Sequence, residues 1–120
     1  MIEEYHFGSI TINGETYGYD VEVRWTEEVL EWRRKESHII DVADVKRAVE
    51  KEPEMIIIGT GESGVARVTE NAQKFIKEKA IELVIDKTPE AVKTFNIIKE
   101  DSLEEEGRQK KVIGLFHLTC

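Results

Sequence analysis

The chain has 120 residues, 40% hydrophobic and 35% charged, with a mean hydropathy of −0.41 and a formal net charge of −8. That length fits one domain over residues 1–120, and no apolar run approaches the ~20 residues a bilayer-spanning helix needs. The acidic balance repels phosphate backbones and anionic lipid, so neither nucleic acid nor membrane is expected as a partner.

Taken in chain order, residues 6–12 alternate loosely and lead into Asn13-Gly14, the strongest short hairpin signal because both residues tolerate positive φ. The second arm, residues 15–23, places Tyr17, Tyr19, Val21 and Val23 on one face by period two, with Gly18 as a bulge. Residues 29–33 fit a third strand with Leu30 and Trp32 on one side, although Glu27-Glu28-Val29-Leu30 also fits a helical turn. Asp41 with Asp44 three residues later predicts a capped first helix carrying Val42, Val45 and Val49 and ending at Glu52-Pro53. Residues 55–58, Met-Ile-Ile-Ile, form a run too short for a helix and β-branched enough for a strand buried on both faces.

Thr69 caps the predicted second helix, which carries Val68, Ala72, Phe75 and Ile76, and residues 81–85 give a second buried strand. Thr88-Pro89 reads as a cap followed by proline at the first helical position, with Ala91, Val92, Phe95, Ile98 and Leu103 lining one stripe of helix three. Residues 104–107 read as a solvated acidic turn before a last strand over 112–118. Strand and helix alternating in this way predict a three-layer α/β domain: a central, mostly parallel or mixed sheet flanked by about three helices, with an N-terminal β-hairpin.

Gly59-Thr60-Gly61-Glu62-Ser63-Gly64 matches G-x-G-x-x-G directly after a strand, and Asp86 ends the next one, as in dinucleotide sites. The helix signals begin only near Thr69, displaced from the glycines, and the length leaves no room for a second nucleotide-binding half. No cofactor is therefore expected. A broader reading keeps the loop: if strands 55–58 and 81–85 are parallel neighbours, Gly59, Thr60, Gly61 and Gly64 meet Lys87 and Thr88 at the carboxyl edge. With Arg67 they would form an anion-receptive corner; the plainer alternative is that Thr88 caps its helix and Lys87 is solvated.

The three histidines show no metal-helix spacing. His117 lies in an apolar run and reads as a core or strand-edge residue, while His38 is the freer candidate. Trp32 could stack a ligand, or simply fill the core. Cys120 is the only cysteine, which excludes an intrachain disulfide and fits a reducing cytoplasm. The early carboxylates Glu3 and Glu4 do not match a secretory or transit segment. Three Asn and two Gln beside abundant Glu, Lys and Arg match a thermophilic composition.

The ordered set Phe7-Gly8-x-Ile10-x-Ile12, Trp32, His38, Ile57-Ile58-Gly59-Thr60-Gly61, Thr88-x-x-Ala91 with Phe95-Asn96, and Leu115-x-His117-Leu118-Thr119-Cys120 resembles a family of small conserved-hypothetical domains. That family includes the adipogenesis-associated protein of animals, archaeal structural-genomics members and a mitochondrial complex I assembly factor. The resemblance spans nearly the whole chain and implies a three-layer domain. It carries over no catalytic residues and no enzymatic activity, and points to action through protein partners; Gly59, Thr60, Gly61, Thr88 and Asn96 match its pattern.

Two functions follow as expectations. One is a non-catalytic protein-interaction or assembly-adaptor module with an unknown protein partner. The other is a protein binding a small anionic ligand or nucleotide through the 59–64 loop and the Lys87-Thr88 helix start.

Overall fold

Alternating apolar residues and two glycine turns build the N-terminal unit in the computed structural model, which describes residues 1–104 and 109–120. β1 (Ile2–His6), β2 (Ser9–Ile12) and β3 (Glu15–Tyr17) form an antiparallel meander. Asn13 (φ 50°) and Gly14 (φ 84°) make the β2–β3 turn, as the dipeptide predicts. The first arm also folds back on itself: Gly8, at φ 84°, turns β1 into β2, a hairpin that the loose alternation of residues 6–12 does not reveal.

The expected long second arm is divided between two sheets. β3 stops at Tyr17, and β4 (Val21–Arg24) pairs elsewhere. Val21 and Val23 are buried in the core that Tyr17 also packs against, and Tyr17 and Tyr19 meet edge to face at 5.9 Å. The main sheet runs β5 (Val29–Glu31), β4, β10 (Val112–His117), β7 (Met55–Thr60), β9 (Glu82–Asp86). β10, β7 and β9 are mutually parallel; β4 pairs antiparallel with β10, and β5 pairs antiparallel with β4. Residues 29–31 are thus a strand rather than a helical turn.

Period two assigns the sheet's faces. Ile56, Ile58, Ile113 and Leu115 face α1 (Val42–Glu50) and α2 (Glu70–Lys77), meeting Val45, Ala48, Val49, Ala72 and Ile76. Met55, Ile57, Val112 and Phe116 face α3 (Thr88–Glu104) and the meander, meeting Phe95, Ile2, Ile10 and Ile12. The N-terminal unit therefore covers one sheet face beside α3 instead of joining the sheet. Gly114 is required there, because a Cβ would stand 2.4 Å from the Phe116 ring.

Asp41 and Asp44 form the predicted capping box of α1, and the Thr69 hydroxyl accepts from the Ala72 amide at the start of α2. Val68 precedes α2, in β8 (Arg67–Val68), which pairs in parallel with β6 (Ile39–Ile40). Glu104 ends α3 rather than opening the expected acidic turn, and residues 105–107 and the Leu103 side chain lie outside what the structure describes.

Candidate functional site

The parallel register sets the carboxyl ends of three strands side by side: Gly59 pairs with Asp86, and Thr60 with His117. The loops after β7 and β9 consequently emerge together, as the sequence anticipates for parallel neighbours. A Cβ on Gly64 would sit 3.2 Å from Lys87 Cγ, and one on Gly59 would sit 2.8 Å from Thr88 Oγ1. Gly61 adopts φ 105°, and a Cβ there would stand 2.6 Å from the carbonyl oxygens of Thr119 and Cys120. These glycines permit backbone and side chains to approach more closely than any other residue would.

Gly59 and Gly64 admit Thr88 and Lys87, and Gly61 admits the chain's own residues 119–120. The Gly61 amide donates to Thr88 Oγ1 at 2.8 Å, Glu62 N to Thr119 O at 2.7 Å, Gly64 N to Gly61 O at 3.3 Å, and Ala66 N to Thr60 O at 3.1 Å. Thr60 Oγ1 donates to Asp86 O at 3.1 Å, and Thr88 Oγ1 to His117 O at 2.6 Å. The Gly61, Glu62, Gly64 and Ala66 amides are thus engaged within the protein. Thr88 is the first residue of α3, and its hydroxyl faces the sheet in place of the capping role expected of it.

Of the other predicted site residues, Lys87 reaches this corner, and Arg67, His38, Trp32 and Asn96 are held by other contacts. Arg67 is exposed in β8 and lines a separate groove with Thr69, Glu70 and Gln73, while Lys87 is exposed beside Gly64. His38 is exposed, its carbonyl accepting from the Arg67 amide. Trp32 is buried and donates from Nε1 to Asp44 O at 2.8 Å, which makes it a core residue. Asn96 binds the main chain of Ile2.

The most densely connected polar group at this edge is one that sequence spacing does not disclose. Asp20, in the bend before β4, accepts from the Leu118 amide through Oδ1 at 2.8 Å. Its Oδ2 lies 2.8 Å from both Arg34 Nη2 and His117 Nδ1. Arg34 also donates from Nη1 to the carbonyls of Glu36 and Ser37, and its guanidinium stacks 5.2 Å from the centre of the Trp32 ring. The Arg34 and His117 side chains are each only 5% exposed. Arg34 Nε, buried with them, has no hydrogen-bond partner among the described residues.

Burial by itself would push the Asp20 carboxyl up, but hydrogen bonds from His117, Arg34 and the Leu118 amide outweigh it and hold the group below its ordinary value. Tyr5 behaves oppositely: burial, then its hydrogen bond to the Glu62 carboxylate at 2.9 Å, raises its phenol. On the far side of the ring, His117 Nε2 lies 3.4 Å from Thr119 Oγ1. Residues 20, 34 and 117 are too far apart in sequence for any spacing rule. The i, i+2 relation of His117 and Thr119 at a strand end was the one local signal available.

Among the described residues, no group of three or more His, Cys, Asp or Glu side chains could hold a metal ion. No described helix is long and apolar enough to cross a membrane.

The fold and this edge define a single-domain, three-layer α/β protein with a mixed five-stranded sheet whose carboxyl end is closed by its own last residues. Residues 2–117 match the model of a family described as protein of unknown function (DUF498/DUF598), and the chain belongs to that family. Its fold is shared with a conserved hypothetical protein, PH1505, from Pyrococcus horikoshii OT3, at 23% identity and TM-score 0.80 over 100% of this chain and 99% of that one. It is likewise similar to a protein named MT938, at 26% identity and TM-score 0.78 over 100% and 98% of the two chains. A protein from Bartonella henselae described as an outer membrane protein matches at 20% identity and TM-score 0.80, over 99% and 94%.

Proposed function

We propose that this domain is a protein-interaction module, an assembly adaptor, whose docking face is the carboxyl edge of the sheet. The observation that carries the reading is apolar exposure gathered at that edge: Phe7 is 62% exposed, Tyr19 46% and Val65 49%. Each stands on a segment tied to residues 118–120. Gly8 N donates to Leu118 O, Asp20 accepts from Leu118 N, and Glu62 N donates to Thr119 O. Large apolar groups left in water favour association with a partner that covers them, and loops already ordered by hydrogen bonds lose little entropy when it binds. The occupant is a protein presenting a complementary apolar patch, and the cytoplasm is the compartment we assign.

The test is a Phe7→Ser/Val65→Ser double variant compared with the native chain by affinity capture at native abundance in the source cell. A stoichiometric partner recovered with the native chain and lost from an equally stable variant supports the module. Equal recovery of that partner by both chains, or recovery by neither, overturns it.

A further inference from the structure

Beyond docking, we propose that the carboxyl edge carries an acyl-transfer site in which Thr119 is the nucleophile, His117 its general base and Asp20 the residue that positions His117. The geometry has three of the parts such chemistry uses: a hydroxyl facing a base, a base within reach, and a third group that orients the base. Thr119 Oγ1 lies 3.4 Å from His117 Nε2, and Nδ1 of the same ring lies 2.8 Å from Asp20 Oδ2. The first distance is at the long end of hydrogen bonding, as is common where no substrate has drawn the groups together.

The proposed chemistry uses the tautomer with its proton on Nδ1, donated to Asp20, which avoids two lone pairs facing each other at 2.8 Å. Asp20, held below its ordinary carboxyl range, leaves that proton on the ring, and the Nε2 lone pair then faces Thr119. Arg34 Nη2 is also 2.7 Å from Nδ1, but with that tautomer it donates to Asp20 and fixes the carboxylate from a second direction.

Both ends of the relay are fixed. His117 is 4% exposed within β10, whereas Thr119 is exposed. The main chain around Thr119 is held by Asp20, Gly8 and Glu62, and lies against Gly61 where any side chain would displace it. Cys120 adjoins the same fixed backbone.

The substrate class is an activated acyl group, an ester or thioester. As Thr119 Oγ attacks the carbonyl carbon, its proton passes to His117 Nε2. The new Oγ–C bond forms, the bond to the leaving alcohol or thiol breaks, and the leaving group takes the proton from Nε2. Water then gives a proton to Nε2 and adds to the acyl carbon, the Oγ–C bond breaks, and Thr119 recovers its proton as the acid departs. The Asp20 carboxylate stabilises the imidazolium formed in each half.

Two probes test the site on the intact chain, p-nitrophenyl acetate turnover and covalent labelling by a fluorophosphonate with the modified residue mapped by mass spectrometry. We expect one label per chain, on Thr119, and esterase turnover at least tenfold above that of Thr119→Val. Asp20→Asn should lower kcat with KM nearly unchanged, the signature of a misoriented base; Cys120→Ser should keep both label and turnover. Thr119 is exposed, so Thr119→Val remains decisive even if His117→Gln fails to fold. Equal turnover by the native chain and Thr119→Val, or a label on Cys120 or any other residue, overturns the proposal. The probes need no partner protein, so their failure is distinct from failure of the docking face.

Discussion

Asn96 of α3 holds the main chain of Ile2 with both halves of its amide: Nδ2 donates to Ile2 O at 2.8 Å, and Oδ1 accepts from Ile2 N at 3.0 Å. The pair is the side-chain counterpart of one rung of a β-ladder, and it fastens the N-terminal meander to the helix beside it. Asn96→Ala leaves two part-buried backbone groups unpaired, so urea unfolding should show a loss of about 1–3 kcal/mol. Proteolysis of the native state should then begin in the meander. Unchanged protection of residues 1–17 in the variant would mean that apolar packing alone holds the unit.

Thr88 is fully buried and bridges two strand ends, donating to His117 O and accepting from Gly61 N. Thr88→Val keeps the shape and removes the hydroxyl, which should cost about 2 kcal/mol or more. Thr88→Ser should keep most of that stability. Denaturant midpoints of the two variants decide the point, with equal losses counting against the bridge.

On the α1 side of the sheet, Glu22 is 1% exposed and receives Arg24 Nε at 2.8 Å and Arg47 Nε at 3.0 Å. Glu22→Gln preserves volume but leaves the buried Arg24 guanidinium with only Glu28 as a counter-ion, and a loss of about 3–5 kcal/mol is expected. Arg47 is 46% exposed, so Arg47→Ala should cost about 1 kcal/mol or less. Thermal or chemical unfolding of both variants measures the contrast.

Asp20 makes stability depend on pH in a defined direction. Its carboxyl titrates lower in the folded protein than in the unfolded chain. The stabilisation is therefore present above the unfolded value, near pH 4, and is lost as pH falls through the folded one. Between pH 5 and pH 2, the native chain should lose more stability than Asp20→Asn. Parallel acid limbs in the two unfolding series would show that the hydrogen bonds of Asp20 are not linked to its charge.

Patterning made most of the elements legible. Three short β-branched or apolar runs and three periodic segments predicted β7, β9, β10 and the helices, because burial is written into local residue order; β9, at the sheet edge, is half exposed rather than buried as its run suggests. Where the reading differed, a non-local contact decided. The arm 15–23 alternates without a break, yet Tyr17 and Val21 lie in different sheets: Tyr17 pairs with Ile10, and Val21 pairs with Phe116, remote in sequence, both packing on one shared core. The glycine loop was identified as a feature of the carboxyl edge, but what it approaches was not, since its neighbours at Thr88 and Thr119 are remote in sequence.

By itself, the sequence determined a single acidic α/β domain, the identity of its core strands and the capping of α1 and α2. Those properties depend on residues a few positions apart, where propensity and periodicity act. Only the tertiary structure decided that residues 118–120 close the carboxyl edge, that the loop amides are engaged there, and that Asp20, Arg34, His117 and Thr119 form one polar relay. Such a relay depends on register between β4 and β10 and on a bend at Asp20, which are set by the packing of two sheet faces at once.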